Sequence, residues 1–177
     1  MPIAFYDASV SSYLQVLEGV SGVLNKGAGH AAEKGLDLQQ FVMTRLHEDM
    51  MPLHFQIVSV AHHSWGAIQG MQQGSFSPPS FALDMDYAGL QAVVANARES
   101  LASLDATQVE TLAGGSMVFK LGKRELPFTN KNFLLSFSLP NFYFHATTTY
   151  SILRMLGVPL GKQDYIGQMK MGAGTPG

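Results

Sequence analysis

The side chains of this 177-residue sequence with the most capacity for chemistry are its six histidines. The last predicted helix carries one polar face, whose members recur at three- to four-residue spacing: Ser138, Asn141, His145 and Thr149. Leu134 lies on the same face, so the face points into the protein, where polar groups need partners. Asn141 and His145 are spaced i, i+4, the spacing by which two histidines on one helix bind a single metal ion.

Three further histidines lie on the second predicted helix. The apolar face of this helix comprises Leu53, Ile57, Val60, Ser64, Ala67, Ile68 and Met71. His63 and His54 flank that face and can each reach the interior, whereas His62 is predicted to meet solvent. Adjacent residues on a helix diverge by about 100°, so His62 and His63 do not form a chelating pair. Two interpretations of His145 stay open: a core histidine hydrogen-bonded to a neighbour, or a ligand of a bound group.

The elements that position these residues are four long helices. The predicted bounds are about Asp7 to Lys34, with Leu36 to Arg45 as a short helical turn after Gly35; Asp49 to Gly70 or Gly74; Asp84 or Asp86 to Leu104; and Thr129 to Leu156. Asp49 and Thr129 are predicted to cap the second and the last helix, and Gly35 is predicted to end the first in a left-handed conformation. Pro140 is expected to kink the last helix. Alternating residues from Met117 to Phe128 predict a β-hairpin before it. The predicted fold is an all-α four-helix bundle with this small hairpin, in one domain over residues 1–170 with a flexible tail at 171–177.

Composition excludes several classes of site. The sequence has no cysteine, so a disulfide framework, a thiolate zinc site and a cysteine nucleophile are impossible. A net charge of −2 favours neither nucleic acid nor an anionic membrane as partner. No apolar run of membrane-spanning length and no signal peptide is found, which predicts a cytoplasmic protein.

Basic residues are concentrated in the last third of the sequence. The predicted hairpin region contains Lys120, Lys123, Arg124 and Lys131. These four side chains could form a face that binds an anionic ligand. The alternative is a solvated hairpin whose charges balance acidic neighbours.

The order of several short motifs resembles that of an uncharacterised bacterial family in the DinB/YfiT-like superfamily of proposed metalloenzymes. The motifs are Leu139 to His145, Thr149-Tyr150, Ile152 to Arg154, Gly157-Val158, Gly161-Lys162 and Asp164-Tyr165, with Tyr6 to Val10 and Arg45-Leu46 to Asp49-Met50 earlier in the chain. The resemblance implies a four-helix bundle with a divalent ion. In that superfamily the ion is held by one His on the second helix and an H-x-x-x-H pair on the fourth.

Carried over to this sequence, the resemblance matches His145 to the second His of the pair and places Asn141 where the first would be. The expected second-helix position falls near Val60, with His63 one turn later. One implication is a metal-dependent enzyme that binds zinc or nickel through His145 and His63. The other is a degenerate site that persists as a polar pocket in a non-catalytic small-ligand binding or interaction module. The remaining candidate ligand-binding residues are Asn141, Thr149 and His54.

The second and fourth helices carry more apolar side chains than one bundle core can cover. The excess residues are Phe55, Val58 and Trp65 on the second helix, and Tyr143, Phe144 and Tyr150 on the fourth. Covering them predicts a two-fold homodimer. The alternative is a monomer in which the hairpin and the segment after Gly157 shield these side chains.

Overall fold

The computed structural model of the protein describes residues 3–79 and 85–171. Helix α1 comprises a π-helical turn, Asp7–Ser11, and the α-helix Ser12–Lys34. Helix α2 is Leu38–Met43, and α3 runs through Leu53–Ala61, the π-helical turn His62–Gly66 and Ala67–Gln73. Gly35 ends α1 in the left-handed conformation, at φ 64°, as its position in the sequence predicts.

The second half of the chain adds four helices and most of the sheet. Helix α4 is Tyr87–Ala102, α5 is Ala106–Thr111, α6 runs through Asn130–Phe133, Leu134–Ser138 and Leu139–Met155, and α7 is Lys162–Ile166. Two of these helices begin where the sequence predicts, and a side chain caps each: Asp86 accepts from Gly89 N–H, and Thr129, the predicted cap, accepts from Asn132 N–H. The alternative start Asp84 and the predicted tail beyond Met171 lie outside the described residues.

The four long helices enclose the core. Helix α1 contacts α4 and α6, and α3 contacts the same two helices from the other side. The mainly helical fold is therefore confirmed. A plain four-helix bundle is too simple a description, because the described residues also form α2, α5, α7 and a three-stranded sheet.

The predicted hairpin is present as β2, Ser116–Leu121, and β3, Arg124–Thr129. A two-residue strand, β1 (Ser75–Phe76), pairs parallel to β2 and extends the sheet to the order β1-β2-β3. The sequence gives no indication of β1, because two residues are too short to show alternation. This strand anchors the end of α3 against the hairpin.

The predicted start of the second long helix near Asp49 is wrong. Helix α3 begins at Leu53, with Pro52 as its N-cap residue, and the proposed cap Asp49 instead accepts a hydrogen bond from His47. The irregularity expected at Pro140 takes the form of the π-helical turn Leu134–Ser138 just before it. Because proline has no N–H and crowds the preceding turn, a widened turn accommodates it.

The apolar side chains expected on the outer faces are partly covered. Val58 and Trp65 are half-buried beside α4, and Tyr150 packs edge-on against Tyr165 of α7. Tyr143 and Phe144 stay exposed, by 38% and 55%. Within residues 3–79 and 85–171, no helix combines the length and the apolar character needed to cross a bilayer.

Candidate functional site

Helices α3 and α6 bring His63 and His145 side by side. The two imidazole rings are nearly parallel, with an interplanar angle of 14° and centroids 5.7 Å apart. His63 lies in the π-helical turn of α3, and His145 lies one helical turn after Asn141 on α6. His63 is 7% exposed and His145 is 9% exposed, so both residues are largely buried just beneath the protein surface.

Gln56 determines which nitrogen of His145 carries the proton. The Gln56 amide nitrogen donates to the Met51 carbonyl at 2.8 Å, which turns its Oε1 towards His145. His145 Nδ1 lies 2.8 Å from that oxygen and must donate to it. In the neutral ring, Nε2 of His145 is then left with its lone pair as an acceptor or a ligand atom.

Burial keeps both rings neutral. Desolvation lowers the pKa of His145 to about 4 and, with smaller contributions from the neighbouring His145 and His62, lowers the pKa of His63 to about 3. The rings that contact His63 include Phe76 and Phe137, and neither offers a conventional hydrogen-bond acceptor. His63 Nδ1 accordingly has no hydrogen-bond partner among the described residues.

A buried hydrogen-bond chain holds the π-helical turn that presents His63. Ser138 Oγ donates to the His63 carbonyl at 2.7 Å, so the Tyr13 hydroxyl, 2.6 Å from Ser138 Oγ, must donate to Ser138. Burial raises the pKa of Tyr13, which keeps its proton available for this bond. Ser138 thus has a structural partner rather than a free hydroxyl.

The other predicted site residues are engaged elsewhere. Asn141 donates through Nδ2 to the Phe137 carbonyl at 2.7 Å, and Thr149 donates to the His145 carbonyl at 2.9 Å. His54 is buried on α3, nine residues before His63, or roughly 13 Å along a helix. The structure therefore does not bring His54 together with His63.

His62 departs from its predicted exposure to solvent. Its ring is half-buried and stacks on Phe76 with centroids 4.3 Å apart, and Nε2 donates to the Ser77 carbonyl at 2.7 Å. The segment after Gly74 folds back across this face of α3. Helical periodicity alone does not predict such a tertiary contact.

Two contributors to the site were missed at the sequence level. Gln56 and Ser59 precede His63 by seven and four residues, and all three are buried. Their spacing places them along one stripe beside the apolar face of α3, so the periodicity signal was available. Ser59 Oγ has no hydrogen-bond partner within the described part of the chain.

Comparison with known proteins identifies the family of this chain. The family described as a domain of unknown function, DUF1993, matches residues 5–166. The chain belongs to the DUF1993 family. No curated protein matches the DUF1993 chain.

A solved structure supports the fold. The crystal structure of a DinB family member protein from Shewanella denitrificans superposes on the DUF1993 chain with a TM-score of 0.78. The alignment covers 96% of this chain and 95% of that chain at 24% sequence identity. The DUF1993 chain therefore has a DinB-like fold.

The donor set of the DUF1993 site does not fit a complete site for a divalent metal. Within residues 3–79 and 85–171, no three His, Asp or Glu side chains are grouped closely enough to hold one ion. His63 and His145 supply two imidazoles and no negative charge, whereas a closed zinc site needs four donors and a catalytic one three from the protein. Asn141, which the sequence resemblance aligns with a ligand histidine, has its amide nitrogen bound to its own helix.

Proposed function

We propose that the DUF1993 chain is a binding module in which His63 and His145 form a hydrogen-bonding site for a small uncharged ligand. The observation that carries this proposal is the hydrogen bond from His145 Nδ1 to Gln56. It leaves Nε2 as an acceptor of fixed direction. A ligand with an O–H or N–H group can donate to that atom.

The surroundings of the two rings favour an uncharged, partly apolar ligand. The rings in contact with them are those of Phe55, His62, Phe76, Phe137 and Phe144. A charged ligand would lose its hydration in such surroundings without gaining an ionic partner. Phe144 is exposed and Phe137 is half-buried, so rotation of these side chains gives a route to the site.

Phenol and anisole test this proposal as a matched pair of probes, because they share a ring and differ in the hydroxyl proton. In protein with ¹⁵N-labelled histidine, phenol is expected to shift the His145 Nε2 resonance, whereas anisole leaves it near its free value. His145→Phe keeps a ring at the position and removes the acceptor, so it should abolish phenol binding. No shift with phenol, or an equal shift with anisole, would contradict the proposal.

A divalent metal ion is the second candidate, because His63 and His145 place two neutral imidazoles beside each other. His63 and His145 would be the protein ligands of zinc or nickel, and a metal-dependent enzyme would use such an ion as a Lewis acid.

Elemental analysis of protein purified without an affinity tag tests the metal. Stoichiometric zinc or nickel that falls in both His145→Ala and His63→Ala supports the ion. Metal content unchanged in both variants removes these residues from the proposal. The phenol experiment runs on metal-free protein, so the two candidates can fail separately.

We further propose that the chain forms a two-fold homodimer through the exposed face of α6 around Tyr143 and Phe144. Both side chains are aromatic and exposed, by 38% and 55%, and the Phe144 ring contacts that of His145. Such a face is commonly covered by a second copy of the same chain. The cytoplasmic location stays a prediction from the sequence.

A further inference from the structure

A cavity of the protein lies in the groove between α3 and α4. His62 and Phe76 line it and also contact the His63 ring, whereas neither His63 nor His145 is among its described lining residues. Its volume is about 630 Å³, within the range of small-molecule sites. Trp65 and Gln69 line it from α3, and Val93 and Asn96 line it from α4. The stretch 77–79 closes one end. The cavity is therefore an open groove lined by both aromatic and polar side chains.

The groove carries no charge among its described lining residues. His62 is the one titratable side chain there, and burial lowers its pKa, so the ring is neutral at neutral pH. Its Nε2 proton is already donated to the Ser77 carbonyl. No Lys or Arg is among its described lining residues, so these residues offer no ionic partner for a phosphate or a carboxylate. They also include no Asp or Glu, so they offer none for an amine.

Three polar side chains that line the groove have no hydrogen-bond partner among the described residues. In that part of the chain, the side chains of Trp65, Gln69 and Asn96 form no intramolecular hydrogen bond, and the Trp65 indole stacks on no other ring. Gln69 and Asn96 lie on opposite helices, and each side-chain amide has both a donor and an acceptor. Trp65 is half-buried and offers a flat apolar surface with a single donor at its edge.

We infer that this groove is a second binding site, which takes an uncharged planar heterocycle of the nucleobase type. The ring would stack on Trp65, as bases stack on aromatic side chains. Its edge would pair with the amides of Gln69 and Asn96, because side-chain amides match the donor–acceptor edges of bases. Saccharides are the less suitable class, since the described walls hold no carboxylate to accept paired hydroxyls.

Trp65 is the single tryptophan of the sequence, so intrinsic fluorescence reports on this groove alone. The titration uses adenine, uracil and glucose, with excitation at the red edge of the indole band. At least one base is expected to change the fluorescence in a saturable way at millimolar concentration or below. No saturable change with either base, or a saturable change with glucose alone, would overturn the inference.

Alanine variants of the two amide residues test whether their side chains hydrogen-bond to the ligand. Gln69→Ala and Asn96→Ala are each expected to weaken binding of the base by about fivefold, the effect of one lost neutral hydrogen bond. Gln72→Ala, an exposed change on the same helix, should leave the affinity unchanged. Equal affinities in all three variants would contradict recognition by the amides. His145→Phe should have no effect here, which separates this site from the His63–His145 site.

Discussion

At the scale of single residues, burial rather than a charged partner controls the histidine chemistry. Among the described residues, His145 has one neutral hydrogen-bond partner, Gln56, and His63 has none on Nδ1. No carboxylate of this part of the chain is ion-paired with either ring. Both rings therefore resist protonation in the folded protein and accept protons readily once the chain unfolds.

The first prediction is that the free energy of unfolding rises with pH between about 4 and 6.5. The native pKa values are about 3 for His63 and about 4 for His145, against 6.5 in the unfolded chain. In this window the unfolded state binds more protons, so stability is complete above pH 6.5 and is lost as pH falls. The slope is up to about 1.4 kcal/mol per pH unit for each histidine.

Urea denaturation at a series of pH values measures this slope. His145→Gln should make it shallower, because one of the two depressed groups is gone. His47→Gln changes an exposed histidine and serves as the matched control. A slope that His145→Gln leaves unchanged would show that other groups cause the pH dependence.

At the scale of elements, the π-helical turn in α3 depends on a side chain from α6. Ser138→Ala removes the donor to the His63 carbonyl and the acceptor of the Tyr13 hydroxyl. Each buried group left unpaired costs about 1–3 kcal/mol, so thermal or urea denaturation should show a loss of about 2 kcal/mol or more. Ser136→Ala, an exposed change in the same turn, should stay within about 0.5 kcal/mol. Equal effects of the two variants would refute the role of Ser138.

Helix α7 depends on a glycine in the middle of α1. A Cβ atom at Gly19 would collide with the Tyr165 carbonyl, which is backbone and cannot rotate away. Gly19→Ala is therefore expected to destabilise the protein by about 1–3 kcal/mol in urea denaturation. Gly22→Ala, whose Cβ meets nothing within 4 Å, should instead stabilise α1 by about 0.5–1 kcal/mol. The opposite order of the two variants would contradict the close approach of α7 to α1.

The same elements show how far the sequence could be interpreted. The long helices and their caps at Asp86 and Thr129 were predictable, because periodicity and capping are local signals. The helix faces predicted that His63 or His54 could reach the interior, and the structure brings His63 to His145. The positions of the Gln56 and His62 side chains could not be predicted. The first depends on the orientation of the Gln56 amide, and the second depends on the segment after Gly74, which folds back over α3 through β1. These contacts are tertiary and leave no local periodicity.

At the scale of the whole molecule, the free edge of β3 and the exposed face of α6 differ in their capacity to bind a second copy of the chain. Strand β3 is the outer strand, and Pro127 lies opposite Val118 in its ladder with β2. From the two-residue turn, Pro127 falls at a position whose N–H would point to the free edge, so the edge lacks a donor there. Association by strand pairing is therefore disfavoured.

The last prediction is that the protein dimerises through the exposed face of α6. Light scattering after size exclusion at micromolar concentration should give twice 19.2 kDa for the wild type. Phe144→Glu places a charge in the proposed interface and should shift the mass towards one chain, while circular dichroism stays unchanged. Leu121→Glu changes a similarly exposed apolar residue on the hairpin, and the dimer should persist. A wild-type mass near 19.2 kDa, or equal dissociation by both variants, would contradict this interface, because a charge weakens a dimer only where its side chain loses solvent.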